Sequence, residues 1–267
     1  METGYSWDTG LLRDLNEDSV LCTSFDLRTH LGTISAGLFA VADGMGGHSA
    51  GEIASDLATR TLHAECISGL LAQSPATPLS ILAAAFKKAN RKVLDSATDG
   101  ELKGMGTTLT AALVVGGELY VAHIGDSRCY VINRRETIQV TKDHSVVQQL
   151  VDAGAITPEQ AWNHPRKNEI TRVLGYSRNI VPDLHYVKLY AGDNILLCSD
   201  GLCGVLPSPE ISETVIGAPN PNQACIDLTA QANLAGGPDN ISIVIVKPDN
   251  LPSWQAMITA QTSIRRI

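Results

Sequence analysis

Short apolar runs alternate with longer segments of helical spacing along this chain. Residues 36–42 form an apolar run of strand length with a glycine inside its start. Three more runs follow at 107–115, 118–124 and 129–132, joined by Gly116-Gly117 and by Gly125-Asp126-Ser127-Arg128. Connections this short predict three neighbouring strands in an antiparallel meander. Residues 4–7, 19–23, 182–189, 193–198 and 241–246 also read as strands. Ile53, Leu57, Thr61-Leu62 and Ile67 lie at helical spacing and predict a helix over 49–71. Ser74-Pro75-Ala76-Thr77-Pro78 breaks it. A second helix over 79–94 carries Ile81-Leu82, Ala85-Phe86 and Val93 on one side. Residues 209–216 and 221–235 predict two more.

The pattern changes between Asp143 and Gly175. Asp143-His144-Ser145 suits the cap of a short helix over 146–153, and Ile156 to Trp162 begins another. The following stretch, Asn163-His164-Pro165-Arg166-Lys167-Asn168, is basic and polar. Such an insertion is a candidate lid or substrate-contact flap. A plain solvated connection is the alternative.

The chain has 267 residues, with no internal repeat and no low-complexity linker. One domain over residues 1–247 is therefore expected, with the flap at about 143–175 and a C-terminal tail over 248–267. Apolar residues make up 44% and charged residues 18%, enough for a full core. A net charge of −8 argues against a nucleic-acid binder, which carries a basic face. No run reaches the ~18 apolar residues of a membrane span, and no basic start precedes an apolar segment. A cytoplasmic, monomeric protein is the expectation. Six cysteines without C-x-x-C spacing read as free thiols, not as a zinc or disulfide framework.

The acidity is not spread evenly. Asp43 ends the run at 36–42 and opens Asp43-Gly44-Met45-Gly46-Gly47-His48. Asp126, Asp200 and Asp239 also stand at strand ends, and Glu17 lies in a loop between strands. An ordinary Asp-Gly turn accounts for any one of these. Several carboxylates gathered in one cleft repel each other unless cations join them. An all-oxygen set suits Mg²⁺ or Mn²⁺, whereas zinc recruits Cys or His. Two such ions suit phosphoester hydrolysis, because they acidify a water and stabilise both attacking and leaving oxygens. Arg13, just before Glu17-Asp18, offers a fork suited to phosphate. No G-x-S-x-G, P-loop, H-E-x-x-H or C-x5-R motif competes. His123 reads as a satisfied core histidine. From its residues alone, the chain reads as a metal-dependent hydrolase with a phosphate-binding arginine.

Taken in order, the motifs resemble those of the PPM family, the metal-dependent type 2C serine/threonine protein phosphatases, in bacterial form. The resemblance runs from Ser6 to about Val246. It rests on Asp8-x-Gly10-x-x-Arg13-x-x-Asn16-Glu17-Asp18, Asp43-Gly44-Met45-Gly46-Gly47-His48, Gly106-Thr107-Thr108, Gly125-Asp126-Ser127-Arg128 and Asp143-His144-Ser145. Further along, it rests on His164-Pro165-Arg166, Ile170-Thr171-Arg172, Ser199-Asp200-Gly201 and Gly237-Pro238-Asp239-Asn240. It implies an α+β fold, a four-layer α-β-β-α sandwich of two antiparallel sheets flanked by helices. It also implies dephosphorylation of phosphoserine and phosphothreonine in proteins by a hydroxide bridging two metals. The phosphorylated proteins would be substrates of a serine/threonine kinase.

Carried over by position, Asp43 bridges two Mn²⁺ or Mg²⁺ ions, with the Gly44 carbonyl beside it. Glu17 completes one ion's shell, and Asp200 and Asp239 hold the other. Asp126 with Asp200 matches a third, weaker site. Arg13 holds the substrate phosphate, and Asp18 and Asn240 orient the ligands. Animal-type members carry a His after Asp-Gly, proposed as general acid; here that position is Met45. His48 reads as a capping or packing residue. A catalytically inactive relative serving as a binding module is the competing reading, opposed by the full carboxylate set. A stress-signalling phosphatase with a single substrate is a third.

Overall fold

The computed structural model describes residues 1–29, 32–46, 50–72, 76–97 and 102–248. His48 and the tail from residue 249 lie outside the described residues, so the capping role and the tail expected above are not addressed.

The apolar runs are long because most of these strands are buried on both faces. One sheet orders β1 (Glu2–Asp8), β12 (Ile241–Lys247), β11 (Asn194–Cys198), β8 (Arg128–Ile132) and β9 (Thr137–Gln139). The other orders β10 (Asp183–Lys188), β7 (Glu118–Ile124), β6 (Leu109–Val115), β3 (Gly32–Ala42) and β2 (Ser19–Thr29). All pairings in both sheets are antiparallel. Successive side chains point to opposite faces of a strand. Phe39, Val41, Ala112 and Val114 therefore meet Val131, Ile195, Leu197 and Val244 between the sheets. Their neighbours Leu38, Ala40, Ala111 and Leu113 face outward into a second core under α1 (Ala50–Leu71) and α2 (Pro78–Ser96). On the opposite side Ile241, Ile243 and Ile245 pack under α6 (Ser208–Gly217) and α7 (Pro221–Leu234). Three cores between four layers make the expected α-β-β-α sandwich.

Two expectations are corrected. The strands at 118–124 and 129–132 do not share a meander: β7 lies in one sheet and β8 in the other. Gly125-Asp126-Ser127 is a crossover between sheets, with Gly125 at φ +121°. A turn of this length looks like a hairpin in sequence, and only packing of both strand faces separates the two outcomes. Secondly, α1 does not bury Ile53, which is exposed. It buries Ala50, Ala54, Ser55, Ala58, Leu62 and Cys66. Small side chains let the helix lie close against the sheet, so its inner face is nearly invisible to hydrophobic periodicity. The other helices follow their pattern. Ile81, Leu82, Ala85, Phe86 and Val93 are all buried on α2, which Thr77 caps.

Two short elements also frame the site. β4 (Gly44–Met45) pairs with β5 (Gly106–Thr107), and α5 (Asp200–Cys203) follows β11 directly. All six cysteines are free, and Cys22 alone is not fully buried. Among the described residues, no helix is long and apolar enough to cross a membrane.

Candidate metal centre

Register carries the acidic residues to one end of the sandwich. Ser19 pairs with Ala42, which puts Glu17-Asp18 and Asp43 side by side. Asp8 pairs with Ile241, which brings the Arg13 loop against Asp239-Asn240. Cys198 pairs with Ile243 and with Arg128, so Asp200 and Asp126 come to the same edge. Asp43 is thereby within electrostatic reach of Asp18, Asp200, Asp126 and Asp239. Glu17 feels Arg13 and Asp239.

Backbone and hydroxyl contacts fix each position. The Asp43 N–H donates to Thr108 Oγ1 at 2.9 Å, and its carbonyl accepts from the Thr107 hydroxyl at 2.9 Å. Thr108 Oγ1 in turn meets Ser127 Oγ at 2.9 Å, beside Asp126. Gly44 is required by close approach. A β-carbon there would lie 2.1 Å from the Gly51 carbonyl oxygen and 2.4 Å from that of Glu17. Gly51 N–H donates to the Glu17 carboxylate, and Ser55 Oγ donates to the Glu17 carbonyl at 2.7 Å. Asn240 ties three strands of chain together. Its Oδ1 accepts from Glu17 N–H at 2.8 Å, and its amide donates to the Thr9 and Leu15 carbonyls at 2.9 Å each. Asp18 is buried against Ser199 and Ser242.

The electrostatics are those of a cation site. Burial first, and then its acidic neighbours, hold the Asp43 carboxyl well above the ordinary 3.8. The same two causes raise Asp126, with Asp200 as the nearest like charge. Asp18 is pushed up to about 8 and Asp200 to about 6, again mainly by burial. Oxygens of Asp18, Asp126 and Asp200 are buried without a hydrogen-bond partner. Groups of this kind ordinarily find a partner. Orphaned carboxylate oxygens aimed into one cluster fit hard divalent cations. Among the described residues, however, no three acidic, imidazole or thiol groups form a finished cage. Arg13 Nη2 donates to Asp239 Oδ2 at 2.7 Å. The arginine expected to meet phosphate here neutralises one of the expected ligands.

The structure thus brings Arg13, Glu17, Asp18, Asp43, Gly44, Asp126, Asp200, Asp239 and Asn240 together. Reading by residue type missed the parts that position them. Thr107, Thr108 and Ser127 lie within the quoted motifs, and His144 within the helix-cap motif, but their residue types do not by themselves signal these contacts. Ser55, Ser199 and Ser242 carry no signal of their own in sequence. His123 is a core residue as expected, with Nδ1 2.9 Å from Thr110 Oγ1 and Nε2 3.1 Å from the Lys142 carbonyl. Burial, with His144 stacked beside it at 4.7 Å, pushes it down to about 3. Met45, where a general acid stands in animal-type members, pairs with Gly106 in the β4–β5 ribbon.

A sandwich of two antiparallel sheets with buried carboxylates gathered at one end fits the metal-dependent hydrolase read from the residues. Comparison with known proteins makes this specific. Residues 26–224 match the model of the family described as protein phosphatase 2C. The serine/threonine phosphatase Stp of Listeria monocytogenes is 38% identical over 213 residues, covering 78% of this chain and 83% of its own. PstP of Mycobacterium tuberculosis, a serine/threonine protein phosphatase, is 40% identical over 243 residues, 89% of this chain and 43% of its own. The catalytic domain of PstP has been solved in complex with two manganese ions. It superposes with a TM-score of 0.76 at 38% identity, covering 91% of this chain and 96% of that one. The chain belongs to the protein phosphatase 2C family.

Proposed function

We propose that this chain removes phosphate from phosphoserine and phosphothreonine in proteins, using two Mn²⁺ or Mg²⁺ ions and a third held more weakly. The observation that carries the reading is the convergence of Glu17, Asp43, Asp126, Asp200 and Asp239, with unpartnered buried oxygens, beside an exposed arginine. Asp43, with the Gly44 carbonyl, would sit between two ions. Glu17 would complete one shell, and Asp200 with Asp239 the other. Asp126 and Asp200 would hold the third. When bound, the ions supply Lewis acidity, which acidifies an attacking water and stabilises charge on the transferred phosphoryl group.

The protein's own groups do the positioning. Thr107 and Thr108 fix the Asp43 backbone, and Asn240 fixes that of Glu17. Asp18, buried against Ser199 and Ser242 and within electrostatic reach of Asp43, would help orient the ligands. Arg13 binds the substrate phosphate through its planar fork once a cation takes Asp239 from it. The likeness to Stp and PstP supports serine/threonine specificity. The phosphorylated partners would be products of a serine/threonine kinase. The protein would act as a cytoplasmic monomer, with residues 1–247 as its catalytic domain and the 143–175 segment as its flap.

The test is phosphate release from a phosphothreonine peptide during Mn²⁺ titration, with EDTA and Asp239→Ala as controls. Metal-dependent release that is lost in the variant is expected. Folded protein that releases no phosphate at any Mn²⁺ concentration would instead point to an inactive binding module.

A further inference from the structure

A cavity of about 700 Å³ opens directly beside the carboxylate cluster, and Asp126 and Asp200 form its inner end. One wall comes from α3 (Val146–Asp152) and α4 (Pro158–Trp162) of the 143–175 segment. That wall presents Val147, Val151, Pro158, Ala161 and Trp162. The facing wall, on the body of the sandwich, carries Cys203, Pro207 and Pro209. These are apolar side chains on both sides of a space that begins at the reaction centre.

The cation deepest in the lining is already paired. Arg128 is the cation at its base, and Asp143 grips it with both oxygens, Nε to Oδ1 at 2.9 Å and Nη2 to Oδ2 at 2.7 Å. Lys167 stands at the rim, its Nζ 3.4 Å from the Gly204 carbonyl and 5.8 Å from the Trp162 ring centroid. Apolar side chains line both sides between Lys167 at the rim and the carboxylates within, and burial among them favours an apolar group over a charged one.

We propose that this groove is a specificity subsite that takes a large apolar side chain neighbouring the phosphorylated residue of the protein substrate. The inference rests on the phosphatase reading above. Its occupant follows from continuity: the groove begins at Asp126 and Asp200 of the carboxylate cluster, so a peptide whose phosphate is held by Arg13 and by ions in that cluster has its adjacent residues within reach of this groove. The groove sets preference among phosphoproteins and takes no part in the chemistry.

The experiment compares the Mn²⁺-loaded chain on p-nitrophenyl phosphate and on phosphothreonine peptides that carry Leu, Phe or Asp on either side. Leu and Phe peptides are expected to exceed Asp peptides in kcat/KM by about tenfold, mainly through KM. Val151→Lys should abolish or invert that preference, and Ala161→Trp should raise KM for Leu and Phe peptides. Both variants should turn over p-nitrophenyl phosphate like the parent chain, which also shows that they fold. Equal kcat/KM across the peptides would overturn the subsite, as would a Val151→Lys variant with unchanged preference. Loss of p-nitrophenyl phosphate turnover by the parent chain itself would strike the phosphatase reading and the subsite with it.

Discussion

Arg13 and Asp239, 226 positions apart in sequence, are joined by a 2.7 Å ion pair at the edge of the carboxylate cluster. The bond to Asp239 raises the guanidinium above its ordinary value. A cation at Asp239 competes with this arginine for the same carboxylate. Arg13→Ala should therefore tighten Mn²⁺ binding several-fold, read by titration calorimetry, by removing a competitor and a positive charge. The same variant should raise KM for a phosphopeptide by about ten- to a hundredfold, the worth of a charge-assisted bond to phosphate. A fall in kcat with KM unchanged would contradict a ground-state phosphate contact.

The raised carboxyls set a pH dependence for the metal-free protein. Asp200 at about 6 and Asp18 at about 8 stand above their ordinary 3.8, so the folded state binds protons that the unfolded chain has lost. Stability from these groups is full below pH 3.8 and is lost as pH rises through 6 and then 8. In EDTA the melting temperature should fall between about pH 5 and pH 8, and saturating Mn²⁺ should flatten or reverse that slope. Asp43→Asn removes a like charge from the same cluster. It should raise the melting temperature in EDTA while abolishing turnover, a combination that a misfolded variant cannot give. An EDTA melting profile that is level or rising over this range would refute the assigned cause.

Gly44 answers a geometric demand. With Gly51 and Glu17 carbonyl oxygens at 2.1 and 2.4 Å from any added β-carbon, Gly44→Ala must push the start of α1 away from the Glu17 loop. Overpacking of this kind costs about 1–3 kcal/mol. Both the unfolding midpoint and Mn²⁺ affinity should drop, because Glu17 and Asp43 flank the displaced corner. Gly217, where a β-carbon meets nothing within 4 Å, is the contrasting position, and alanine there should leave Mn²⁺ affinity unchanged.

Much of this was legible in the chain, for reasons that can be named. Strands buried on both faces leave continuous apolar runs, so β3, β6, β7 and β12 stand out. Aspartates that end such runs stand out too, because a carboxylate beside a core needs a reason. What escaped notice depends on partners distant in sequence. The crossover at Gly125-Asp126-Ser127 has the length of a hairpin turn, and the sheet that β8 joins is decided by what its two faces meet. The inner face of α1 is built of Ala and Ser, whose small side chains carry little periodic signal. The engagement of Arg13 by Asp239 depends on β1 pairing with β12, which local spacing cannot reveal. His144 is a further case: it stood in a motif read only as a helix cap.

His144 clamps the Asp126 turn from both directions. Its backbone N–H donates to the Gly125 carbonyl at 2.7 Å, and Gly125 N–H donates back to His144 Nδ1 at 3.0 Å. Accepting at Nδ1 puts the neutral ring's proton on Nε2, which lies 3.1 Å from Asp183 Oδ2 and 2.6 Å from Arg172 Nη1. Burial, with the Arg172 guanidinium beside it, holds the imidazole below its ordinary value and so neutral. The His144 carbonyl also accepts from Thr171 N–H at 2.7 Å, which fastens the base of the 143–175 segment to the same turn. Asp126 thus owes its place to a neutral imidazole 18 residues later. His144→Gln removes the acceptor at the Nδ1 position and leaves the Gly125 N–H buried and unpaired, at a cost of about 1–3 kcal/mol. His144→Asn keeps an oxygen near that position. The Gln variant should lose stability and its weakest Mn²⁺ site, counted by electron paramagnetic resonance of bound Mn²⁺, and the Asn variant should recover part of both. Equal Mn²⁺ binding by the two variants and the parent chain would show that the clamp does not act on Asp126.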